Sequence, residues 1–403
     1  MRKEKKLYVG SLFAGVGGIE WGLINASYNG RKYEIVWANE IDEYAAETYR
    51  LNFKDHPLII GDIEKIVKPE REEDPEERKK YIKKREQILE KPIDVLVGGF
   101  PCQAFSIAGY RKGFDDKRGN VFWSIIDVIN LLDERHKRKP QILFLENVKN
   151  LQGHDNGRTY KIIKSSLEEL GYKVKEKVIN TKDVTKLPQN RERIYIVAFL
   201  DSLAAENFTM FDNLDKYKIT FSDEERIENI KRVLDLDLSK DKYEKYYYTK
   251  EKYPHYFLTE EEFQAAKEKY NKKYRVNIGE EITQEFEFYQ VRRGMYVRKN
   301  QQGVCPTLTA NMGTGGHNVP LIKVHDGIRK LTPAETFKLQ GFPVGNGYQL
   351  PKQSDGRLYK QAGNAVSVDV IQLIGEEILK ALDAAEKIQA QEEKHEIKKT
   401  AIC

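Results

Sequence analysis

Short apolar runs alternate with amphipathic stretches through the first half of the chain. Several of the runs are rich in Val, Ile and Leu without polar alternation, which predicts strands covered on both faces. Helical patterns lie between them, for example over residues 44–51, 121–132 and 159–170. This order predicts an α/β fold with a doubly wound, mainly parallel sheet that binds ligands at the carboxyl ends of its strands. The predicted strands span residues 6–13, 34–39, 58–60, 93–97, 141–145, 173–180 and 193–199.

The pattern changes near residue 200. Apolar periodicity is weak from residue 201 to about 316, where tyrosines alternate with lysines between Tyr243 and Tyr274 and a basic run spans Arg292–Asn300. This composition predicts a separate, smaller, irregular domain. Its surface suits nucleic acid, because cations meet phosphates and rings meet bases or sugars. A tyrosine-rich core with solvated lysines explains the same residues equally well.

Ordered patterns return after about residue 319. Thr332–Glu335 is a typical helix start, and residues 366–387 predict a long amphipathic helix that packs back on the sheet. The charged insert over residues 64–92 predicts an exposed helix or a mobile excursion. We therefore expect a first domain over residues 1–199, a second over 200–324, and a C-terminal segment over 325–403 that returns to the first.

Composition narrows the class of protein. With 403 residues, 40% hydrophobic and 33% charged, the chain is expected to be soluble and globular. The net charge of +5 is modest, so any nucleic-acid surface must be local. Cys102, Cys305 and Cys403 are too few and too scattered for a disulfide framework or a zinc site. Without a signal peptide or a membrane-spanning run, we expect a metal-free, cytoplasmic protein.

A thiol stands at the end of one predicted strand. Phe100–Gln103 follows the apolar run over residues 93–99, so a buried strand delivers Cys102 into a loop at the ligand-binding edge of the sheet. A thiolate at such a place can act as a nucleophile. Cys102 is therefore the candidate nucleophile.

Three other strand ends form a candidate cofactor pocket. The first strand leads into the glycine turn Ser11–Gly18, the second ends in Glu40, and the third is followed by Asp62. Glycines let the backbone approach a ligand, Glu40 is placed to accept hydrogen bonds from a ribose, and Asp62 can accept from an adenine amine. Each feature alone also fits an ordinary turn or cap. Together, and without a phosphate-binding lysine loop, they favour a nucleoside-bearing cofactor that has no phosphate chain.

Polar side chains at two later strand ends add candidate chemistry. Glu146 ends an apolar strand, where desolvation raises a carboxyl pKa and favours proton donation, although a single Glu more often caps a helix or forms an ion pair. Period-two geometry predicts Arg191 and Arg193 on one face of a strand and Glu192 on the other. Two guanidiniums there can bracket a planar polar substrate or a carboxylate. The turn over residues 361–366 by itself indicates only a helix start.

The chain resembles the bacterial DNA cytosine-5-methyltransferases from Leu7 to about Ile378. The segments that carry the resemblance are, in order, FAGVGG, NEID, GDI, GGFPCQAFS, FLENV, QNRERIYIVAF, RKLTPAE, QGFP and QAGNAV. The order of the Pro-Cys-Gln, Glu-Asn-Val and Gln-x-Arg-x-Arg blocks is highly specific. The resemblance implies a seven-stranded S-adenosylmethionine-dependent methyltransferase sheet and a target-recognition domain over residues 200–324.

The resemblance assigns roles to these residues. Cys102 adds as a thiolate to cytosine carbon 6, which turns the ring into an enamine that takes a methyl group at carbon 5. Glu146 holds or protonates ring nitrogen 3, and of Arg191 and Arg193 one contacts the pyrimidine carbonyl while the other organises the site. S-adenosylmethionine is the implied methyl donor. Its pocket is expected to comprise Phe13, Ala14, Gly15, Gly17, Gly18, Glu40, Ile41, Asp62, Ile63, Pro101, Asn364, Ala365 and Val366.

Double-stranded DNA is the implied substrate. A cytosine inside a duplex cannot be reached, so base flipping is implied as well. Residues 103–119 resemble the mobile loop with which this family closes over DNA. We expect a monomer, with a cognate restriction endonuclease as a partner at the same DNA site. The expected DNA contacts are Gln103, Ser106, Arg111, Lys112, Arg293, Arg298, Thr307, Gly315 and Gly316, of which Thr307 would hold a phosphate.

Three alternatives stay open at this point. A tRNA cytosine methyltransferase on the same fold would share Cys102 and Glu146, although its target insert is smaller. A chain that binds DNA and cofactor without catalysis conflicts with the complete catalytic set. A nicotinamide oxidoreductase fits the fold class but leaves the Pro-Cys segment unexplained.

Overall fold

The computed structural model describes residues 4–100, 121–236, 243–270, 273–292, 295–300, 303–312, 318–325 and 327–400. Two units divide the chain, each with its own sheet. The first unit comprises Met1–Ile179, Glu192–Lys218 and Val368–Cys403, and the second comprises Asn180–Arg191 and Ile219–Ser367. The chain therefore leaves the first unit and returns to it twice.

The strands fall into two sheets. The larger sheet has the order β2-β3-β1-β5-β6-β8-β7, with β4 also paired to β3, and the smaller has the order β10-β9-β11-β12. In chain order the strands are β1 Lys5–Leu12, β2 Ser27–Tyr28, β3 Arg31–Glu40, β4 Leu58–Ile60, β5 Val95–Gly99, β6 Ile142–Val148, β7 Lys173–Asn180, β8 Glu192–Phe199, β9 Phe288–Arg292, β10 Tyr296–Lys299, β11 Leu321–Val324 and β12 Gly327–Lys330.

Helices cover much of the remaining described chain. In order they are α1 Gly18–Asn25, α2 Glu43–Asn52, α3 Ile63–Val67, α4 Pro75–Ile88, α5 Val121–His136, α6 Arg158–Glu169, α7 Thr181–Val184, α8 Ser202–Asn207, α9 Asp223–Val233, α10 Glu260–Tyr270, α11 Ile278–Glu281, α12 Pro333–Lys338, α13 Asp355–Asn364 and α14 Val368–Thr400. Among the described residues, no helix has the length and apolar character to cross a membrane.

The sheet of the first unit confirms the predicted α/β class. β1 runs parallel to β3 and β5, and β5 runs parallel to β6, whereas β8 is antiparallel to β6. Val9, Val95 and Leu143 are all 0% exposed, as expected for strands covered on both faces. The sheet has eight strands instead of the expected seven, because the two-residue strand β2 pairs antiparallel with β3.

The structure shows what the predicted C-terminal helix and the charged insert over residues 64–92 form in the first unit. The long helix α14 packs on α1, where a Cβ at Gly22 would come within 2.7 Å of Ile371. The charged insert forms α3 and α4, and Asp74 caps α4 by accepting from the N–H groups of Glu76 and Glu77. Tyr81 packs against the main hydrophobic cluster. The insert is therefore helical, and Tyr81 of α4 packs it against the rest of the first unit.

The second unit is built on a small antiparallel sheet. β9 pairs with β10 and β11, and β11 pairs with β12. Several of its tyrosines are core residues, and Tyr248, Tyr256 and Tyr289 pack in one buried cluster. Tyr274 and Tyr296 are instead 46% and 50% exposed. The tyrosine-rich segment thus supplies both a core and some surface rings.

Candidate active site

A carboxylate and a guanidinium meet where β6 and β8 pair. Glu146 Oε1 lies 3.0 Å from Arg193 Nε. In the antiparallel register Glu146 faces Tyr195 and Val148 faces Arg193, so Glu146 and Arg193 are diagonal neighbours on one face of the sheet. The exposed fractions of the two side chains are 10% for Glu146 and 12% for Arg193. The pair is therefore held largely out of water.

The neighbouring acid has a different environment. Glu192 pairs with Lys149 at 2.8 Å, and these side chains are 42% and 51% exposed. This agrees with the predicted alternation of side chains along the strand. Glu146 is the buried carboxylate of the two, and Glu192 belongs to a solvated ion pair.

The Asn147 side chain links the end of β6 to the residue that follows β5. Its Nδ2 donates to Phe100 O at 2.8 Å, and its Oδ1 accepts from the Val148 N–H at 2.8 Å. β5 and β6 are parallel, with Gly99 opposite Glu146. The strand that precedes the Pro-Cys segment therefore ends beside Glu146.

Part of the predicted site lies outside the described residues. Of the three cysteines, the described one is Cys305, which is 0% exposed. Burial raises the pKa of the Cys305 thiol well above its ordinary value, so it stays protonated and unreactive. Cys305 therefore makes a poor nucleophile. The predicted residues outside the described ranges are Pro101, Cys102, Gln103, Ser106, Arg111, Lys112, Arg293, Gly315 and Gly316.

Glu40, the last residue of β3, is surrounded by backbone donors. Its Oε2 accepts from the Gly15 N–H at 2.6 Å, and its Oε1 accepts from the N–H groups of Ile41 and Asp42 at 2.8 and 2.7 Å. Burial raises the pKa of the carboxyl, and these hydrogen bonds oppose the rise. A carboxylate has about four lone-pair sites, so Glu40 keeps capacity for a further donor such as a ribose hydroxyl.

The glycine turn after β1 leaves its backbone accessible to a ligand at Gly15. Phe13 and Gly15 have φ angles of 57° and 56°, and Gly17 precedes α1 with φ of 87°. A Cβ at Gly15 would meet no atom closer than 4.0 Å, whereas a Cβ at Gly17 would lie 2.1 Å from the Phe53 ring. Gly15 therefore leaves room for a ligand, and Gly17 allows close packing beneath it.

The ends of β3 and β4 add groups that suit a nucleoside. The strands are parallel, with Glu40 opposite Ile60. Asp62 Oδ1 accepts from the Glu64 N–H at 3.0 Å, which orients this carboxylate at the start of α3. Ile41 is apolar and yet 63% exposed. The exposed side chain of Ile41 suits the flat face of a base, Glu40 suits the hydroxyls of a ribose, and Asp62 suits an exocyclic amine. The residues present thus fit a nucleoside-bearing cofactor.

Arg191, in the second unit, binds backbone. It is 1% exposed. Its Nη1 donates to Leu308 O at 3.1 Å, and its Nη2 donates to Gly363 O at 3.3 Å and also to Ala365 O. Period-two geometry fails for this residue because β8 begins at Glu192. Arg191 therefore binds main-chain carbonyls, as expected of the arginine that organises the site, and its place among the catalytic residues stays a prediction.

The other described candidates of the second unit differ in exposure. Thr307 Oγ1 donates to Asn190 O at 2.6 Å, so its single hydroxyl proton is already used. A phosphate held there would have to displace this bond or meet another donor. Arg298 is exposed on β10 and donates to Gln290 Oε1 at 2.8 Å. Asn364 is exposed at the end of α13.

The sequence did not predict the environments of two residues, Glu20 and Gly363. Glu20, on α1, is 0% exposed, and its carboxylate oxygens have no hydrogen-bond partner among the described residues. Its sequence signal is an acid within the apolar segment GIEWGLIN. Gly363 approaches Thr309 so closely that a Cβ there would lie 2.2 Å from the Thr309 carbonyl carbon. Its signal is a glycine inside a helix, which often marks close backbone packing.

Known proteins are similar to this chain in sequence and in fold. The chain matches the C-5 cytosine-specific DNA methylase family over residues 7–380. It is 44% identical over 377 residues to the type II methyltransferase M.Bsp6I of Bacillus sp. (strain RFL6), covering 93% of this chain and 99% of that one. It is 36% identical over 381 residues to M.HpaII of Haemophilus parainfluenzae, with 94% and 91% covered. The Dnmt2 methyltransferase of S. pombe superposes with a TM-score of 0.58 at 17% identity, covering 94% of this chain and 97% of that one.

The sheet is that of an α/β methyltransferase fold, and the structural likeness extends to the fold alone. The chain belongs to the C-5 cytosine-specific DNA methylase family. Its similarity to type II methyltransferases over nearly their whole length places it among enzymes of that class. It is therefore an enzyme that methylates cytosine in DNA at carbon 5, as its motifs predicted.

Proposed function

We propose that the chain methylates cytosine carbon 5 within one short sequence of double-stranded DNA, through a covalent adduct with Cys102. The observation that carries this proposal is the Glu146–Arg193 pair, which lies beside the strand end that leads to Cys102. A carboxyl and a guanidinium held together can bind the ring nitrogen and the carbonyl oxygen of one cytosine. By the family resemblance, the thiol of Cys102 would attack carbon 6 of the same ring.

The residues have complementary tasks in this reaction. The Cys102 thiolate adds to carbon 6, and Glu146 holds or protonates ring nitrogen 3, which offsets the negative charge that the addition creates. Arg193 donates to the pyrimidine carbonyl and keeps the Glu146 carboxyl in place. After carbon 5 has taken the methyl group, a base removes the carbon 5 proton. Elimination then breaks the bond to carbon 6 and returns Cys102 to its thiolate.

The first unit would hold S-adenosylmethionine, which supplies the methyl group when bound. Glu40 would accept from the ribose hydroxyls, Asp62 from the adenine amine, and Ile41 would cover the base. The glycine turn would receive the amino-acid end, because its backbone is open at Gly15. The family resemblance adds Phe13, Ala14, Gly17, Gly18, Ile63, Pro101, Asn364, Ala365 and Val366 to the pocket.

DNA recognition is assigned to residues 200–324. The exposed Tyr296 and Arg298 on β10 support this assignment, because they offer a ring and a cation side by side on the surface. The target cytosine would be flipped out of the duplex to meet Cys102. We propose that the chain acts as a monomer, since one chain supplies every site residue, and that it protects DNA sites from a partner endonuclease.

Methyl transfer to defined nucleic acids tests the proposal. The protein is incubated with tritiated S-adenosylmethionine and either plasmid DNA or bulk tRNA, and labelled DNA is sequenced after bisulfite treatment. We expect label in DNA only, at cytosines of one short motif. Label in tRNA alone would overturn the proposed substrate, and scattered cytosine methylation would overturn the proposed sequence specificity.

A further inference from the structure

One buried arginine ties two functional segments of the second unit together. Arg191 donates to Leu308 O on one side and to Gly363 O and Ala365 O on the other. Leu308 follows Thr307, a candidate for contact with the target strand. Gly363 and Ala365 flank Asn364, a candidate for contact with the cofactor. The guanidinium of Arg191 therefore bridges a DNA segment and a cofactor segment.

The two segments also touch directly through their backbones. Gly363 lies in α13, and a Cβ there would come within 2.2 Å of Thr309 C, 2.3 Å of Thr309 O and 2.5 Å of Ala310 N. Real Cβ atoms do not approach backbone atoms this closely. Only glycine allows this contact, so neither segment can shift against the other without opening it.

Further hydrogen bonds hold the DNA segment to the residues just before Arg191. Asn190 N donates to Cys305 O at 2.8 Å, and Cys305 N donates to Pro188 O at 2.7 Å. Thr307 Oγ1 donates to Asn190 O at 2.6 Å. Residues 188–191 therefore act as a brace for residues 305–308 and, through Arg191, for the end of α13.

The same brace reaches α13 by a second route. Gln189 Nε2 donates to Leu339 O at 2.7 Å and contacts Gln340 Oε1 at 3.2 Å. Gln340 Nε2 donates to Ala362 O at 2.7 Å. Gln189 and Gln340 are both 0% exposed. Breaking these buried hydrogen bonds is costly, so we expect the segments that they join to move together.

From this network we infer that Arg191 and Gly363 couple the binding of cofactor to the binding of target DNA, with Arg191 as a positioning residue. The inference rests on the proposed function of the two segments. A ligand that shifts Asn364–Val366 would also shift Thr307–Ala310, because the two segments share Arg191 and one backbone contact. The second ligand then meets a segment that is already in its bound position, and its affinity rises.

A thermodynamic cycle measures this coupling. The affinity for a fluorescent duplex that carries the methylated motif is measured by anisotropy, with and without saturating S-adenosylhomocysteine. The affinity for S-adenosylhomocysteine is measured by calorimetry in each protein. Coupling between two sites is typically about 5–150-fold, and we expect the wild-type chain to fall in this range.

The variant pair Gly363→Ala and Gly356→Ala isolates the contact. Both glycines lie in α13, but a Cβ at Gly356 meets nothing within 4 Å. Both variants replace a glycine by alanine in the same helix, and the contact with Thr309 is the close contact that only Gly363→Ala disturbs. We expect coupling to fall to within about twofold of unity in Gly363→Ala and to persist in Gly356→Ala. Arg191→Lys, which keeps the charge and loses the fork of donors, should also reduce coupling.

The outcomes separate the inference from the proposed function. Unchanged coupling in folded Gly363→Ala or Arg191→Lys overturns the inference, as does an absence of coupling in the wild-type chain. A purely structural role would lower the melting temperature and leave the ratio of affinities unchanged. If neither variant folds, hydrogen exchange on the wild-type chain tests the inference instead. Coupling predicts that DNA alone protects the amides of residues 363–366, and unchanged exchange there would overturn it. A wild-type chain that binds neither ligand would instead contradict the proposed function.

Discussion

Arg193 Nε lies 3.0 Å from Glu146 Oε1, and the two residues come from antiparallel strands that are far apart in the chain. Each side chain is about nine-tenths buried, so each charge depends on the other for compensation. In the proposed reaction, a cytosine ring would meet an acceptor or acid in Glu146 and a donor in Arg193. The pair is therefore the part of the described site whose loss should affect catalysis most directly.

Glu146→Gln tests the acid of this pair. The amide keeps the shape of the side chain but can neither carry a negative charge nor protonate ring nitrogen 3. Since general acid catalysis contributes about 10²–10⁴-fold, we expect kcat to fall within that range. The matched control is Glu192→Gln, whose acid is exposed and paired with Lys149. Equal activity of the two variants in single-turnover methyl transfer would contradict the assigned role.

Glu40→Gln tests the cofactor pocket. The amide nitrogen cannot accept from the backbone N–H groups that the carboxylate now holds. Loss of a charge-assisted hydrogen bond costs about 1.5–3 kcal/mol, so affinity for S-adenosylhomocysteine should fall about 10-fold or more in calorimetry. Glu43→Gln, at an exposed position at the start of α2, should bind as the wild-type chain does. Unaltered binding by Glu40→Gln would refute the assignment.

Gly17→Ala tests the packing under the glycine turn. A Cβ there would overlap the Phe53 ring at 2.1 Å, and the residue has φ of 87°. Gly30 has a similar φ of 79°, but nothing lies within 4 Å of its Cβ position. Strain in the left-handed region costs both variants about 1–2 kcal/mol, and overpacking adds about 1–3 kcal/mol to Gly17→Ala alone. Urea unfolding should rank Gly17→Ala as clearly less stable than Gly30→Ala. Similar losses in both variants would rule out a packing role for Gly17.

The buried carboxyl of Glu20 should make the free energy of unfolding depend on pH. Burial raises the pKa of its carboxyl to about 7, and the negative charge of Glu40 adds to the rise. The folded chain thus binds one proton more than the unfolded chain between pH 4.5, the unperturbed value, and about pH 7. Stability contributed by this group is therefore lost as pH rises through that window.

Glu20→Gln removes this proton linkage. Relative to the wild-type chain, the variant should gain up to about 3 kcal/mol of unfolding free energy between pH 5 and pH 8, because one pKa unit corresponds to about 1.36 kcal/mol. Thermal and urea unfolding at several pH values measure the difference. A stability difference between variant and wild type that does not change with pH would show that Glu20 titrates normally.

Much of the first unit could be predicted because its signals are local. β4 and β7 have the bounds that the sequence pattern predicts, and β1, β3 and β8 differ by a few residues at their ends. Strand β2 was missed because two residues carry no pattern. The strand-end rule correctly placed Glu40 beside the glycine turn, and the structure adds the hydrogen bond from Gly15.

The remaining parts depend on contacts between distant segments. Glu146 and Arg193 are each visible in the sequence, but their pairing follows from the antiparallel alignment of β6 and β8. The carbonyl partners of Arg191 could not be predicted, because a local period cannot reveal contacts with residues more than one hundred positions away. The buried tyrosines of the second unit likewise have no periodic signal, so composition could not separate core from surface.

The most direct test of the central claim is covalent trapping of the target base. A duplex that carries 5-fluorocytosine at the methylated position retains the adduct, because fluorine at carbon 5 cannot leave as a proton does. With S-adenosylmethionine present, we expect a complex that survives denaturing electrophoresis and whose DNA-bearing peptide, by mass spectrometry, is joined at Cys102. Cys102→Ser should bind the same duplex without forming this complex. Attachment at another residue, or normal methyl transfer by Cys102→Ser, would contradict the account.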